Sequence, residues 1–181
     1  MALKATIYKV DLQIADMDRH YYQQHSLTLA RHPSETDERM MVRLLAFALY
    51  ADEALLFGKG LSTDDEPDLW LKDMTGTIDL WIDVGLPDER EIRKACGRAK
   101  QVIVVCYGGR SADIWWDQNR EKLGKQDNLT VLDIAAGTSK SLANMASRNM
   151  QLSFTLQDGQ VLLAGESAAL EISPRALLRA L

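Results

Sequence analysis

Two short runs on either side of a Thr75-Gly76 turn constrain the fold more than any other part of this sequence. They read Asp-Leu-Trp-Leu-Lys at 68–72 and Thr-Ile-Asp-Leu-Trp-Ile-Asp-Val at 77–84. In an antiparallel hairpin centred on the turn, Trp70 faces Trp81, Lys72 faces Asp79, and leucines face other aliphatic residues. Such cross-strand pairs contribute roughly 0.2–1 kcal/mol each. The pattern therefore predicts a β-hairpin in this register.

The same register brings Asp68 opposite Asp83 at the open end of the hairpin. Directly opposed like charges destabilise a sheet, and protonation of one carboxyl group or a shared cation relieves the repulsion. Mg²⁺ prefers oxygen ligands and usually takes one or two protein carboxylates. The opposed pair of Asp68 and Asp83 is therefore a candidate metal site. The alternative is that Asp68 starts its strand in solvent and that Asp83 caps or ends the other strand.

Patterns along the rest of the chain predict a single domain of mixed α/β class over residues 1–181. Alternating apolar residues indicate an N-terminal hairpin, and Asp158-Gly159 indicates a C-terminal hairpin because this dipeptide suits the tight primed turn. Ser34, followed by acidic residues, is a predicted helix N-cap. The predicted strands are 6–15, 22–30, 54–57, 68–72, 77–84, 102–107, 129–134, 150–156, 160–164 and 170–172. The predicted helices run from 34 to about 52, 86 to about 100, 111–123 and 139–148, with a short one after Pro174.

Composition limits the class of protein. Hydrophobic residues make up 46% of the 181 residues and charged residues 26%, which is typical of a globular protein. The net charge of −5 argues against a broad cationic surface for nucleic acid or an anionic membrane. No apolar run approaches the roughly 20 residues of a membrane span. The N-terminus shows no long apolar segment typical of a signal peptide, so cytoplasmic residence is expected.

Other chemistry is weakly indicated. Cys96 and Cys106 are too few for a disulfide framework and are expected to be small core residues. The three histidines complete no zinc pattern. Trp115-Trp116 is a candidate partner surface. One cluster of basic residues has two interpretations: it contacts a nucleic-acid backbone, or it forms the solvated face of the second helix. Its members are Arg90, Arg93, Lys94, Arg98 and Lys100.

Several segments taken together resemble a known family. They include residues 1–9, Met-Ala-Leu-Lys-Ala-Thr-Ile-Tyr-Lys, the stretch 29–35 with Glu38-Arg-Met-Met41, residues 78–89 and Ile114-Trp-Trp116. These resemble the YaeQ family of small bacterial proteins. The order helix, three strands, helix, strand between Ser34 and Tyr107 is similar to the PD-(D/E)XK nuclease superfamily. The resemblance implies a nuclease-like core at about 34–134, a central mixed sheet flanked by helices, with the N- and C-terminal hairpins added.

The resemblance also implies roles for individual residues. Pro67-Asp68 matches the PD element, Asp83 fits the second acid, and Glu38 fits the acid on the first helix, so these three acids are the implied ligands of Mg²⁺ or Mn²⁺. Gly85 stands where the superfamily has a lysine, and Lys94 on the following helix is a possible replacement. The alternatives are that Glu38 only stabilises the helix dipole and that Lys94 is a solvated helix residue.

Two functions follow as expectations. One is Mg²⁺-dependent phosphodiester hydrolysis of nucleic acid, in which the metal polarises a phosphoryl oxygen and lowers the pKa of a bound water. The other is a non-catalytic scaffold that binds a protein or a nucleic acid, for example in transcription. The missing lysine and the negative net charge favour the scaffold.

Overall fold

The computed structural model describes residues 3–59 and 65–181. Within these ranges the chain has a mixed α/β fold with two mixed sheets and four helices. The strands are β1 (Thr6–Asp16), β2 (Tyr21–Arg31), β3 (Leu56–Phe57), β4 (Leu69–Lys72), β5 (Ile78–Val84), β6 (Ala99–Tyr107), β7 (Leu129–Ile134), β8 (Asn149–Gln157), β9 (Gln160–Ala164), β10 (Ala169–Ile172) and β11 (Arg175–Leu178). The helices are α1 (Asp37–Leu49), α2 (Glu89–Cys96), α3 (Arg110–Leu123) and α4 (Ala136–Asn144).

The chain divides into two compact units, and neither is a continuous stretch of sequence. The first contains residues 1–51 and 137–174, and the second contains 52–136 and 175–181. The nuclease-like core expected at about 34–134 therefore draws on both units, since α1 belongs to the first and β3 to β7 belong to the second.

The first unit is built on a five-stranded sheet in the order β10-β9-β8-β1-β2. Both predicted hairpins are present, and β1 and β8 join them by parallel pairing. In β1 the buried residues alternate with exposed ones, as expected when one face of a sheet covers a core. Asp158 and Gly159 both have positive φ, which is the requirement of the primed turn that the sequence indicated.

Helix α1 begins later than the sequence predicts. Thr36 is the N-cap, with its side chain accepting a hydrogen bond from the Arg39 N–H at 3.1 Å. The expected cap, Ser34, instead bonds to the ring of His32, and Glu35 is drawn into a buried ion pair with Arg43 at 2.6 Å. These side-chain contacts hold Ser34 and Glu35 outside the helix. At its other end, the helix stops at Leu49 rather than near Asp52.

The second unit is built on a six-stranded sheet in the order β11-β7-β6-β5-β4-β3, with β5, β6 and β7 parallel. The apolar run in β6 is buried along most of its length, as predicted for a strand covered on both faces. One face carries a core shared with α2 and α3, which includes Trp81, Ile92, Val102, Val104 and Trp115. The carboxyl end of β5 is the position of the candidate acids.

Three element boundaries in the prediction were wrong. Helix α2 ends at Cys96, where Gly97 closes it, and β6 already begins at Ala99. Helix α4 lies at Ala136–Asn144, earlier than 139–148. The residues after Pro174 form β11 rather than a helix, since they complete the sheet beside β7.

The structure also shows where the tryptophan pair and the two cysteines lie. Trp115 is buried, and its Nε1 donates to the carbonyl oxygen of Pro87 at 2.9 Å, while Trp116 packs half-buried against the core. The expectation of an exposed tryptophan pair was therefore wrong. Cys106 is fully buried, which raises the pKa of its thiol to about 12, and Cys96 is half-buried. In the described part of the chain, no helix has the length and apolarity that crossing a membrane requires.

Candidate functional site

The hairpin register predicted from the sequence is confirmed at its open end. Leu69 pairs with Ile82 and Trp70 pairs with Trp81. One residue further along, the N–H of Val84 donates to Oδ2 of Asp68 at 2.8 Å. The carboxylate of Asp68 therefore reaches across to the residue that follows Asp83 at the carboxyl end of β5.

Asp68 is held rigidly. Its residue surface is only 6% exposed, and its carbonyl oxygen accepts a hydrogen bond from the Gly58 N–H at 2.9 Å, which ties it to the end of β3. The alternative in which Asp68 starts its strand in solvent is therefore wrong. A buried carboxylate requires hydrogen-bond partners, and the Val84 N–H is one of them.

Asp83 is oriented by a tryptophan two residues earlier. Nε1 of Trp81 donates to Oδ2 of Asp83 at 2.9 Å. The guanidinium of Arg98 lies 5.0 Å from the centre of the Trp81 ring, and Trp70 meets the same ring edge-to-face at 6.1 Å. The indole is therefore fixed on two sides, and its N–H sets the orientation of the half-buried carboxylate.

The sequence contained a signal for this contact that the prediction did not use. Residues two apart on a strand project from the same face, so the spacing predicts that the side chains of Trp81 and Asp83 are neighbours. An indole N–H needs an acceptor when the ring is buried, and the adjacent carboxylate was an available one. The stacking of Arg98 had no local signal, because it lies on another segment.

The predicted pair of Lys72 with Asp79 was wrong. A bulge between Leu71 and Lys72 shifts the register, so that Lys72 pairs with Ile78. Its ammonium lies 3.6 Å from the centre of the Trp70 ring. Asp79 instead pairs with Lys100, whose Nζ is 2.6 Å from Oδ1. Asp79 is therefore paired with a lysine, but the lysine is Lys100 and not the predicted Lys72.

Gly85, where the superfamily resemblance implies a lysine, has an unusual backbone. Gly85 has φ +111°, a conformation that favours glycine because a Cβ is strained there. Its N–H donates to the carbonyl of Val105 at 3.0 Å. The strand ends here by turning through a glycine, so the backbone itself disfavours a lysine at this position.

The other two predicted site residues lie on helices. Glu38 is half-buried in the first turn of α1, in the first unit. Lys94 is on α2 in the second unit, with its side chain 56% exposed and its Nζ 3.6 Å from Oδ1 of Asp65. Among residues 3–59 and 65–181, no group of three or more His, Cys, Asp or Glu side chains is arranged to hold a metal ion.

The basic residues near the second helix are largely matched by acids or rings. Arg93 pairs with Glu89 at 2.7 Å, and Lys94 and Lys100 pair with aspartates. Arg98 covers Trp81. This arrangement fits the solvated-face interpretation better than a strip of open cations along a phosphate backbone.

Comparison with known proteins decides the family. The family model described as YaeQ protein matches residues 1–174. The YaeQ protein of Salmonella typhi is 51% identical over 172 residues, covering 95% of each chain. The YaeQ protein of Escherichia coli (strain K12) is 50% identical over 173 residues, covering 96% of each. The chain belongs to the YaeQ family.

Solved structures of YaeQ proteins agree with this fold. The crystal structure of YaeQ from Xanthomonas axonopodis pv. citri has a TM-score of 0.95 at 48% identity, covering 98% of this chain and 99% of that one. The structure from Pseudomonas syringae has a TM-score of 0.93 at 32% identity, covering 97% of each chain. The family resemblance expected from the sequence is therefore confirmed over nearly the whole chain.

Proposed function

We propose that this YaeQ-family protein hydrolyses phosphodiester bonds in nucleic acid, using Mg²⁺ or Mn²⁺ held at Asp68 and Asp83. The observation that supports this is the hydrogen bond from the Val84 N–H to the Asp68 carboxylate, which places Asp68 across from the end of β5 that carries Asp83. Ligands of open parallel sheets bind outside the carboxyl ends of the strands. The PD-(D/E)XK resemblance of Pro67-Asp68 and Asp83 belongs to the same proposal.

The chemistry of the acid pair fits a hard divalent cation. Carboxylate oxygens are the ligands that Mg²⁺ prefers, and one or two protein carboxylates are its usual number. Each carboxylate is oriented through Oδ2 by a protein N–H, which is how metal ligands are commonly positioned. A cation bound there supplies Lewis-acid polarisation of a phosphoryl oxygen and a more acidic water.

One further residue belongs to the proposal as a supporting group. Lys94 is proposed as the cation that takes the place of the lysine that the resemblance implies at Gly85, and its contact with Asp65 is an exposed ion pair, a type that contributes little to stability. Glu38, the third ligand implied by the resemblance, lies in the first unit and is not part of the proposed site. Lys94→Met tests the role of Lys94.

The decisive experiment combines metal titration with cleavage assays. We expect calorimetry to show Mn²⁺ or Mg²⁺ binding that Asp68→Asn and Asp83→Asn abolish, and cleavage of single-stranded DNA, duplex DNA or RNA that needs the metal. Asparagine keeps an oxygen that accepts the Val84 or Trp81 N–H, so both variants should fold. Turnover should fall about 100-fold or more, because Lewis-acid stabilisation amounts to several kcal/mol.

Asp79→Asn is the matched control, since it removes one carboxylate from the same strand but leaves the acid pair intact. It should keep both metal binding and turnover. Equal turnover of Asp83→Asn and the parent, or a chain that binds no metal at millimolar concentration, contradicts the proposal.

The second candidate is a non-catalytic scaffold that binds nucleic acid or protein. One observation favours it: the backbone at Gly85 disfavours the lysine that the nuclease resemblance implies there. The same titration separates the two candidates, because a scaffold has no requirement for a divalent cation.

A further inference from the structure

The first unit leaves one long sheet edge without the usual protection. Strand β2 forms this edge over 11 residues, Tyr21–Arg31. Its sequence contains no proline, glycine, lysine or acidic residue, and its pairing with β1 is continuous without a bulge. Natural edge strands are usually blunted by these devices because an open edge pairs with other strands. The absence of these sequence features along β2 indicates an edge that can pair with another strand.

The hydrogen bonds of β1 show which backbone groups of β2 face outward. The N–H of Lys9 donates to Arg148 and that of Met17 donates to Leu156, both at 2.8 Å, so odd-numbered residues of β1 turn toward the β8 side. Even-numbered residues of β1 therefore turn toward β2, where Val10 faces Leu27 and Leu12 faces His25. Because the direction alternates along a strand, the outward-facing residues of β2 are its even-numbered ones.

A contact from α1 sets the far limit of the open stretch. Nη2 of Arg43 donates to the carbonyl oxygen of Ala30 at 3.2 Å, which also confirms that even-numbered residues of β2 point away from β1. Within residues 3–59 and 65–181, the open backbone therefore runs from Tyr22 to Thr28, with Gln24 and Ser26 between them. Tyr22 is 55% exposed at one end of this stretch.

We propose that this edge pairs antiparallel with the same edge of a second copy of the chain. In the register that uses the whole open stretch, Tyr22 lies opposite Thr28 of the other copy and Gln24 lies opposite Ser26. Each outward-facing residue then meets another outward-facing residue, as a hydrogen-bonded antiparallel pair requires. A two-fold axis relates the copies, which is the commonest symmetry of homo-oligomers.

A second copy fits this edge because the open stretch is its own complement. Residues 22–28 contain no Lys, Arg, Asp or Glu, so two copies approach without the repulsion that opposed like charges cause in a sheet. The nearest formal charge on the strand, Arg31, lies outside the stretch and is paired with Asp37. Tyr22 against Thr28 is an aromatic and β-branched pair, a combination that stabilises sheets.

Sedimentation of the full chain over the micromolar concentration range is the first test. We expect the mass to rise from one chain to two as concentration increases. Residue-level hydrogen exchange on the unmodified chain is the second test. The amides of Tyr22, Gln24, Ser26 and Thr28 should exchange more slowly as concentration increases, while Gln23, His25 and Leu27 should be protected at every concentration.

Ser26→Pro tests the edge directly, because it removes an outward-facing N–H and no backbone hydrogen bond to β1. The variant should stay monomeric where the parent is dimeric. Ser26→Ala is its matched control, since both variants lose the hydroxyl that donates to Asp11 at 2.8 Å, but only proline loses the N–H. Ser26→Ala should still dimerise.

A parent chain that stays monomeric at every concentration overturns the proposal, and so does a dimer that survives Ser26→Pro unchanged. If Ser26→Pro does not fold, concentration-independent exchange of the outward-facing amides in the unmodified chain overturns it.

Discussion

At the scale of single residues, the ion pair of Lys100 with Asp79 changes a pKa that can be measured. The hydrogen bond and the charge of Asp79 raise the pKa of the Lys100 ammonium above its ordinary value of 10.5, and the charge of Asp73 adds a smaller contribution. A group whose pKa is raised by folding contributes stability below its unfolded pKa. The ion pair therefore supports the fold below about pH 10.5, and this contribution is lost as the pH rises through the raised pKa.

Asp79→Asn should return the pKa of Lys100 toward 10.5 and remove the alkaline loss of stability that comes from this pair. An NMR titration of the lysine side chains measures the pKa. Asp73→Asn is the control and should lower it by less, because Asp73 is the smallest of the causes. If the two variants shift the pKa of Lys100 equally, Asp79 is not its main partner.

At the scale of elements, the hairpin shows what the sequence could and could not predict. The rungs from Leu69 to Leu71 were predictable because each strand supplies a chemically matched partner. The bulge was not, because it depends on the turn: the Asp73 side chain accepts from the N–H groups of Thr75 and Thr77, and Gly76 adopts φ +86°. This turn advances the register by one residue, so Asp79 loses Lys72 as its neighbour.

Gly85 ends β5 and gives the second prediction at this scale. Gly85→Ala should lower the free energy of unfolding by about 1–3 kcal/mol, the usual cost of a side chain in an unfavourable backbone region. The cost is conformational, since a Cβ at Gly85 meets nothing within 4 Å. Chemical denaturation measures it. Gly137→Ala is the control: it also meets nothing within 4 Å, lies in α4, and should be neutral or stabilising. Equal effects of the two substitutions would contradict the strain at Gly85.

The same strain bears on the proposed chemistry. Gly85→Lys introduces the lysine that the proposed nuclease resemblance implies at this position, but on a backbone that disfavours it. We expect this variant to be less stable than the parent and to gain little turnover. Under the proposed function, a replacement cation would come from a neighbouring element, which is the role proposed for Lys94.

At the scale of the whole molecule, the patterns predicted most elements but not their assembly. Alternation and turn residues are local, so they predicted both terminal hairpins. The parallel pairing of β1 with β8 joins segments such as Lys9 and Asn149 that are far apart in sequence, and no local pattern encodes it. For the same reason the position of Asp68 and Asp83 at the open end of one hairpin was predictable, whereas the assignment of Glu38 to another unit was not.

The C-terminal segment shows how such distant contacts override a local pattern. Pro174 is typical of a helix start, yet the residues after it form β11. Arg175 pairs with Asp133 at 3.2 Å, Leu177 and Leu178 pack against the core of the second unit, and the Leu181 N–H donates to the Asp127 carbonyl at 2.9 Å. These contacts accompany the antiparallel pairing of β11 with β7, which satisfies a strand edge that a helix could not pair with.

Removal of residues 175–181 tests this role of the C-terminal strand. The shortened chain should lose about 2–4 kcal/mol of stability, the value of two partly buried leucines with their backbone hydrogen bonds. Hydrogen exchange should rise chiefly in β7, whose edge becomes open. Arg175→Ala serves as the control, because it removes only an exposed arginine's ion pairs and should cost about 1 kcal/mol or less. The proposed role of β11 is wrong if the shortened chain keeps both the denaturation midpoint and the β7 hydrogen-exchange protection of the parent. In that case β11 does not contribute to the stability of the sheet.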